Sequence, residues 1–363
     1  MKNKIIVGKE IHLKKRPAGF VSEDDFELVE VRVPELRKEG EFLVRNIWMS
    51  IDPFTRIYMV KGSRIMPPIE LNKPLNGGCI GQVMESRSDK FRVGEYVKAN
   101  FGWREYWVGQ DVDNNGKDVT KVDSKIAPSQ YFLGILGITG ITAYVGLFKI
   151  GKLREGLDTV FVSSAAGGVG SVACQIAKIK DCHVVGSCGS DEKVRWLLDE
   201  LKVDYAFNHR KLGEDGISSE LKRACPNGID LYFDNVGGKH LEAAIDNMNI
   251  FGRIVLCGTT SQYNNNFTAS TTINDLSTTT PSSGGPSNLS LAVSHRLRLQ
   301  GFIWSDHNDI LNEFNASMSK WINEGRIKWK ETIYERLENA PKAFVSLFKG
   351  ENTGRTLVKI GSD

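Results

Sequence analysis

The clearest chemistry in the chain lies between Asp158 and Lys178 (DTVFVSSAAGGVGSVACQIAK), where an apolar run leads into Ala165-x-Gly167-x-x-Gly170 and then into a helical pattern. Glycines at this spacing let the backbone approach a pyrophosphate, and a helix starting there offers unpaired N–H groups and partial positive charge. The first position is alanine, so the triplet alone does not separate a dinucleotide loop from a structural tight turn. The strand before it and the helix after it do. Ala166, Gly167, Gly168, Val169 and Gly170 are therefore predicted to line a cofactor phosphate.

The end of the second strand selects the dinucleotide. An NAD-preferring site places Asp or Glu there, roughly 20 residues past the glycines. This chain reads Gly186–Lys193 (GSCGSDEK): no carboxylate ends the strand at Ser187, and Ser190 and Lys193 follow, which suits a 2′-phosphate. The competing reading of Lys193 is a solvated lysine in the first turn of the next helix. Asp191 and Glu192 are expected to favour that helix N-terminus rather than to touch ligand.

Other catalytic classes find no residues. The local Cys182-His183 and Cys188 cluster falls on a predicted buried strand, where alternation sends neighbours to opposite faces, so no three-ligand zinc set is expected. No Gly-x-Ser-x-Gly elbow and no Walker lysine occur.

These residues need a frame to hold them. With 363 residues, 40% hydrophobic and 25% charged, two domains with sizeable cores are expected. The formal charge of +3 is too small for nucleic-acid binding as the main role. Six cysteines without a CxxC pair, and no leader or retention signal, suggest a reducing compartment, with the cytoplasm as the default. Tyr131–Phe148 carries no charge and just reaches the length of a membrane span, but four glycines interrupt it and no basic flank orients it; a buried helical hairpin is expected.

The first 125 residues read as short strands punctuated by turns, among them 41–50, 81–85, 96–100 and 105–108. From Asp158 apolar strands alternate with helical stretches, which implies a parallel, doubly wound sheet. Residues 264–290, rich in Asn, Thr, Ser and Gly, are expected to form a long mobile loop with a role as a lid over the cleft or none.

With these motifs in hand, the chain resembles the zinc-free branch of the medium-chain dehydrogenase/reductase superfamily, specifically its prostaglandin reductase, alkenal double-bond reductase and curcumin reductase group. The resemblance runs over nearly the whole chain, through 48–56 (WMSIDPFTR), 136–147 (LGITGITAYVGL), 165–170 (AAGGVG), 189–193 (GSDEK), 232–238 (YFDNVGG), 251–258 (FGRIVLCG) and 349–356 (KGENTGRT). It implies an α/β fold: a GroES-like β-rich catalytic domain of residues 1–130 and 320–363, and a Rossmann doubly wound parallel-sheet domain of residues 131–319. It also implies NADP(H) in the cleft, an expected homodimer, and no partner in a membrane or nucleic acid. By the same resemblance Asn235 contacts the cofactor, Cys257 and Gly258 lie along it, Phe302, Ile303 and Trp304 flank the nicotinamide, and Asn352 reaches in from the C-terminal segment. Pro53 and Phe54 sit on the substrate side. Two positions depart from the group's pattern: His209 stands where Tyr is common, and Phe54 replaces a Tyr after Asp-Pro.

The reaction so implied is reduction of the carbon–carbon double bond of an α,β-unsaturated ketone or aldehyde. The enolate formed needs donors where charge develops on oxygen, and a proton for the α-carbon. Tyr263 is the side-chain candidate, with the ribose hydroxyl and water as competitors and a packing role as the alternative. Trp48, Met49, Phe54, Trp103 and Trp304 are candidates for an apolar substrate wall. A quinone reductase of the same branch shares every motif, and a nucleotide-binding regulator without turnover is the reading from outside enzymology.

Overall fold

The computed structural model describes residues 6–60, 67–111, 119–125, 127–213, 216–264 and 285–361. The N-terminal part contributes β1 (Val7–Leu13), β2 (Phe26–Arg32), β3 (Glu41–Ser50), the short helix α1 (Thr55–Tyr58), β4 (Cys79–Ser86), β5 (Tyr96–Ala99), β6 (Tyr106–Gln110) and β7 (Thr120–Val122). The central part begins with helix α2 (Ile138–Val145) and continues through β8 (Thr159–Val162), α3 (Gly168–Ile179), β9 (His183–Cys188), α4 (Asp191–Asp199), β10 (Tyr205–Asn208) and α5 (Gly216–Ala224). It then runs through β11 (Ile229–Asp234), α6 (Lys239–Asn247), β12 (Met248–Leu256), α7 (Leu289–Ser294), β13 (Arg298–Gly301) and α8 (Leu311–Asn323). The chain ends with β14 (Glu331–Glu335), α9 (Ala340–Lys349) and β15 (Arg355–Lys359).

The N-terminal sheet is ordered β14-β15-β3-β4-β5-β7, with β6 also paired to β3. β3 is its organising strand. Its apolar residues fall on both faces, and both are covered: Phe42 and Val44 pack with Trp107, whereas Leu43 packs with Val33 and Leu36. β15 returns from the far end of the sequence to pair antiparallel with β3, Val358 opposite Met49. The last strands thus belong to the N-terminal sheet, and the central part is an insertion between them.

The central sheet is ordered β10-β9-β8-β11-β12-β13, and all its pairs are parallel. The order reverses between β8 and β11, and the carboxyl ends of those strands open onto the crevice where ligands bind in such sheets. Its strands are short runs of Val, Ile and Phe buried on both faces, as the doubly wound reading requires.

Tyr131–Phe148 corrects an expectation. It is not a hairpin of two helices but a 3₁₀ turn (Ser129–Leu133), α2, and a π turn that runs on from it (Gly146–Ile150). Gly134 and Gly137 end the first arm before it can complete a helix. Its apolar face packs against Phe314, Met318 and Trp321 of α8. No helix among the described residues is long and apolar enough to cross a membrane. Of the loop expected over 264–290, residues 265–284 lie outside the described ones, and its end at Leu289 is already the first residue of α7.

Candidate active site

The glycine loop turns sharply from β8 into α3. Ser164 adopts a left-handed φ of +50°, and its carbonyl accepts from Gly167 N–H at 2.9 Å. Gly170 is sterically required: a Cβ there would lie 2.3 Å from Ser164 O. α3 starts at Gly168 with Gly167 as N-cap, no capping side chain and no acidic residue in its first turn, so its N–H groups remain available to an anion. Val169 packs on the core behind the loop, and Ala166 is buried.

The C-terminal segment crosses this loop. Gly354 N–H donates to Ala166 O at 2.8 Å, and Gly354, at φ +67°, passes so close to Lys330 O that a Cβ would sit at 1.9 Å. That crossing brings Asn352 to the loop, its amide donating to Gly354 O at 3.2 Å.

At the exit of β9, Ser190 caps α4 by accepting from Lys193 N–H at 3.3 Å. Lys193 is partly buried: its Nζ donates to Gly350 O at 2.7 Å, and burial lowers its pKa. Arg210, which the sequence reading passed over, stands beside it and donates to Lys349 O at 2.7 Å. Both cations thus reach the carboxyl end of α9, where carbonyls carry partial negative charge. Two polar atoms are buried here without partners, Ser187 Oγ and His209 Nδ1. His209 meets the ring of His240 edge-on at 4.8 Å, and burial, opposed by a hydrogen bond that the ring donates to the Cys188 backbone and joined by the charge of Arg210, lowers its pKa. The neutral imidazole is therefore favoured in the free protein.

At the other end, β11 closes a buried polar cluster. Asp234 Oδ1 accepts from Tyr232 OH at 2.6 Å and from the N–H groups of Val236 and Gly237 at 2.9 and 2.8 Å, while its Oδ2 has no partner. Burial raises the Asp234 pKa against the pull of these bonds. Ser163 accepts from Tyr232 OH and from Asn235 N–H, both at 3.0 Å, and Asn235 Nδ2 returns to Ser163 O at 2.8 Å. Asn235 is thus fixed at the strand end with its amide oxygen uncommitted.

Cys257 and Gly258 both donate through their N–H groups to Asp234 O, and burial pushes the Cys257 thiol up to about 12. Tyr263 caps a one-turn 3₁₀ helix (Thr260–Gln262) and folds back over the strand exit, its hydroxyl accepting from Thr259 N–H at 3.4 Å. The phenol is 7% exposed and its pKa is raised, chiefly by burial. It keeps its proton at neutral pH and donates it to no acceptor among the described residues. Phe302 packs on Gly146, Trp304 is half-buried against the core, and Ile303 between them is 57% exposed.

The N-terminal sheet supplies the opposite wall. Buried Asp52 accepts from Arg355 Nη1 at 2.5 Å and from Ser50 Oγ at 2.8 Å, which fixes the turn carrying Pro53 and Phe54. Arg56, fully buried, donates through Nε to Asn264 Oδ1 at 3.3 Å and through Nη2 to Gly19 O at 2.8 Å. The expected apolar wall is only partly there. Trp103 stacks on Phe26 at 5.6 Å in the core, its N–H donating to Met49 Sδ at 2.6 Å, so both residues are core and not wall. Trp48 is likewise buried, under Lys359 Nζ. Phe54 is the exposed member. Among the described residues no three His, Cys, Asp or Glu side chains converge as a metal-binding group.

Residues 9–122 match a family model described as the N-terminal domain of oxidoreductase, and residues 168–322 one described as zinc-binding dehydrogenase. The NADPH-dependent curcumin reductase of Escherichia coli (strain K12) is 35% identical over 97% of this chain and 96% of its own. Prostaglandin reductase 1 of Bos taurus is 37% identical over 98% and 100%. The chain belongs to the medium-chain dehydrogenase/reductase superfamily, in its prostaglandin, alkenal and curcumin reductase group. Within that group, the crystal structure of CurA from Vibrio vulnificus in complex with NADPH superposes with a TM-score of 0.85 at 34% identity, covering 98% of this chain and all of that one. A quinone oxidoreductase of Coxiella burnetii, at 19% identity and a TM-score of 0.69, shares the superfamily's fold.

Proposed function

We propose that this reductase uses NADPH to saturate the carbon–carbon double bond of α,β-unsaturated ketones and aldehydes. One observation carries the reading: a buried, protonated phenol with a free proton, Tyr263, stands on the same strand-end crevice as an uncapped glycine loop and a pair of cations. Ala166–Gly170 and the α3 N-terminus fit the pyrophosphate, and Ser190, Lys193 and Arg210, with the unpartnered His209 Nδ1, fit the 2′-phosphate. Asn235, Cys257, Gly258 and Asn352 border the path between those ends, and Phe302, Ile303 and Trp304 border its nicotinamide end. When bound, NADPH supplies the hydride that the β-carbon receives.

This chain's own residues then handle the charge. As the β-carbon is reduced, electron density moves to the carbonyl oxygen, and Tyr263 OH donates to that oxygen or passes its proton to the α-carbon. Pro53 and Phe54 hold the apolar part of the substrate. The two catalytic-domain pieces, 1–130 and 320–363, supply that wall, and residues 131–319 supply the cofactor face.

The reductase is further proposed to be a homodimer of the cytoplasm. β13 pairs only with β12 among the described residues, leaving a sheet edge free, and Val293 (79% exposed), Leu289 and Phe251 lie near it. A second copy of the chain would cover both. The six cysteines are all free, which suits a reducing compartment.

NADPH oxidation over a panel of enones, alkenals and quinones tests the reading. Enones and alkenals turned over faster than quinones support it. A preference for quinones would make this a quinone reductase, and NADPH binding without turnover of any of them would make it a nucleotide-binding regulator.

A further inference from the structure

We infer that Tyr58 is a second hydroxyl donor to the substrate oxygen, presented from the N-terminal sheet's side of the crevice opposite Tyr263. The inference rests on the enone-reductase reading and deepens it.

α1 is a single turn, too short to be stable alone, and tertiary contacts hold it. Arg16 donates to Met59 O and Ile69 O, both at 2.8 Å, and Ile69 N–H donates to Tyr58 O at 2.8 Å. Arg56, in the same turn, bonds Asn264, the residue directly after Tyr263. The turn that carries Tyr58 is therefore docked against the strand exit that carries the proposed acid. The Tyr58 ring meets Phe54 edge-on at 6.0 Å, which places it beside the proposed substrate wall.

Its hydroxyl has no hydrogen-bond partner among the described residues, although the ring is half-buried and burial raises its pKa. Tyr58 also lies close enough to Tyr263 to disfavour that phenol's ionisation. The two phenols thus lie within electrostatic reach of each other. The half-buried phenol therefore has its proton unspent among the described residues. An enone oxygen has two lone pairs and can accept from both donors at once.

The chemistry balances without a new reagent. The hydride adds to the β-carbon, the π electrons move to oxygen, and Tyr58 donates a hydrogen bond while keeping its own proton. The α-carbon proton comes from Tyr263 or solvent.

The test is Tyr58→Phe, which removes one oxygen and leaves the ring packing. kcat/KM for a simple enone should fall about 10-fold to 100-fold, the range for losing one donor to a developing oxyanion, with NADPH affinity unchanged. The double variant Phe54→Tyr/Tyr58→Phe, which returns a hydroxyl through the touching ring, should recover part of the loss. A readout independent of turnover is the binding of para-nitrophenolate, an oxyanion mimic, to the protein–NADP⁺ complex, followed by its absorbance. It should bind wild type about tenfold more tightly than Tyr58→Phe. Equal affinities, or no binding to either, overturn the assignment, as does a kcat/KM within about threefold of wild type. If wild type turns over quinones but no enones, the activity reading fails while the phenolate comparison still decides Tyr58.

Discussion

Replacing Lys193 with alanine removes one of two cations at the exit of β9. Its ammonium has three N–H donors and commits one to Gly350 O at 2.7 Å, so two are left for a phosphate without breaking that bond. Burial lowers its pKa in the free protein, and an arriving phosphate would raise it again, so the bound lysine is charged. A charge-assisted hydrogen bond is worth about 1.5–3 kcal/mol, which is roughly 10-fold to 150-fold in NADPH affinity. The variant also loses a tie to the end of α9, but that loss falls on NADPH and NADH alike. The ratio of the two dissociation constants, from fluorescence titration, isolates the phosphate contact. Arg210→Ala should shift the same ratio in the same direction, since Arg210 holds the neighbouring carbonyl of Lys349 at 2.7 Å. Equal losses for NADPH and NADH in Lys193→Ala would refute the assignment.

Tyr263→Phe should lower kcat by about 10² to 10⁴ with little change in NADPH affinity. A loss under about tenfold, mainly in KM, would assign the proton to the ribose hydroxyl or water. His240, 5% exposed, has its pKa driven from 6.5 down to about 3 by burial, with His209 adding to it. The folded state thus excludes a proton that the unfolded chain accepts, so stability is full above pH 6.5 and falls as the pH drops toward 3. Between pH 7 and 5 the unfolding free energy should fall by about 2 kcal/mol in denaturant titrations, and His240→Gln should lose that part of the slope. Exhaustive chelation should leave activity unchanged, since no three-ligand group forms among the described residues; loss restored by zinc would contradict this.

What was legible in the sequence is what short-range rules govern. The glycine loop, the β9 exit and the strand–helix alternation each sit within one βαβ unit, where glycine spacing and short apolar runs report directly on structure. The sites that were not legible are made by contacts distant in sequence. Arg210 stands beside Lys193 because β10 pairs with β9, and its partner Lys349 is 139 residues away. Arg56 reaches Asn264 across 208 residues and ties the turn that carries Tyr58 to the residue after Tyr263. Trp103 and Met49 failed as wall residues for the same reason: their apolar types fit a wall and a core equally, and only the packing of Phe26 and Phe344 on Trp103 decides between them. Apolar composition therefore located the crevice's neighbourhood, whereas its polar equipment follows from which strand ends and loops the topology brings together. The proposed site draws on both parts of the chain, with the proposed cofactor contacts mainly on the parallel sheet and the proposed substrate contacts on the N-terminal one. A variant at Asp52 would therefore disturb the substrate side before the cofactor side, because Asp52 anchors the Pro53–Phe54 turn, whereas its partner Arg355 also packs beside Gly168 at the start of α3.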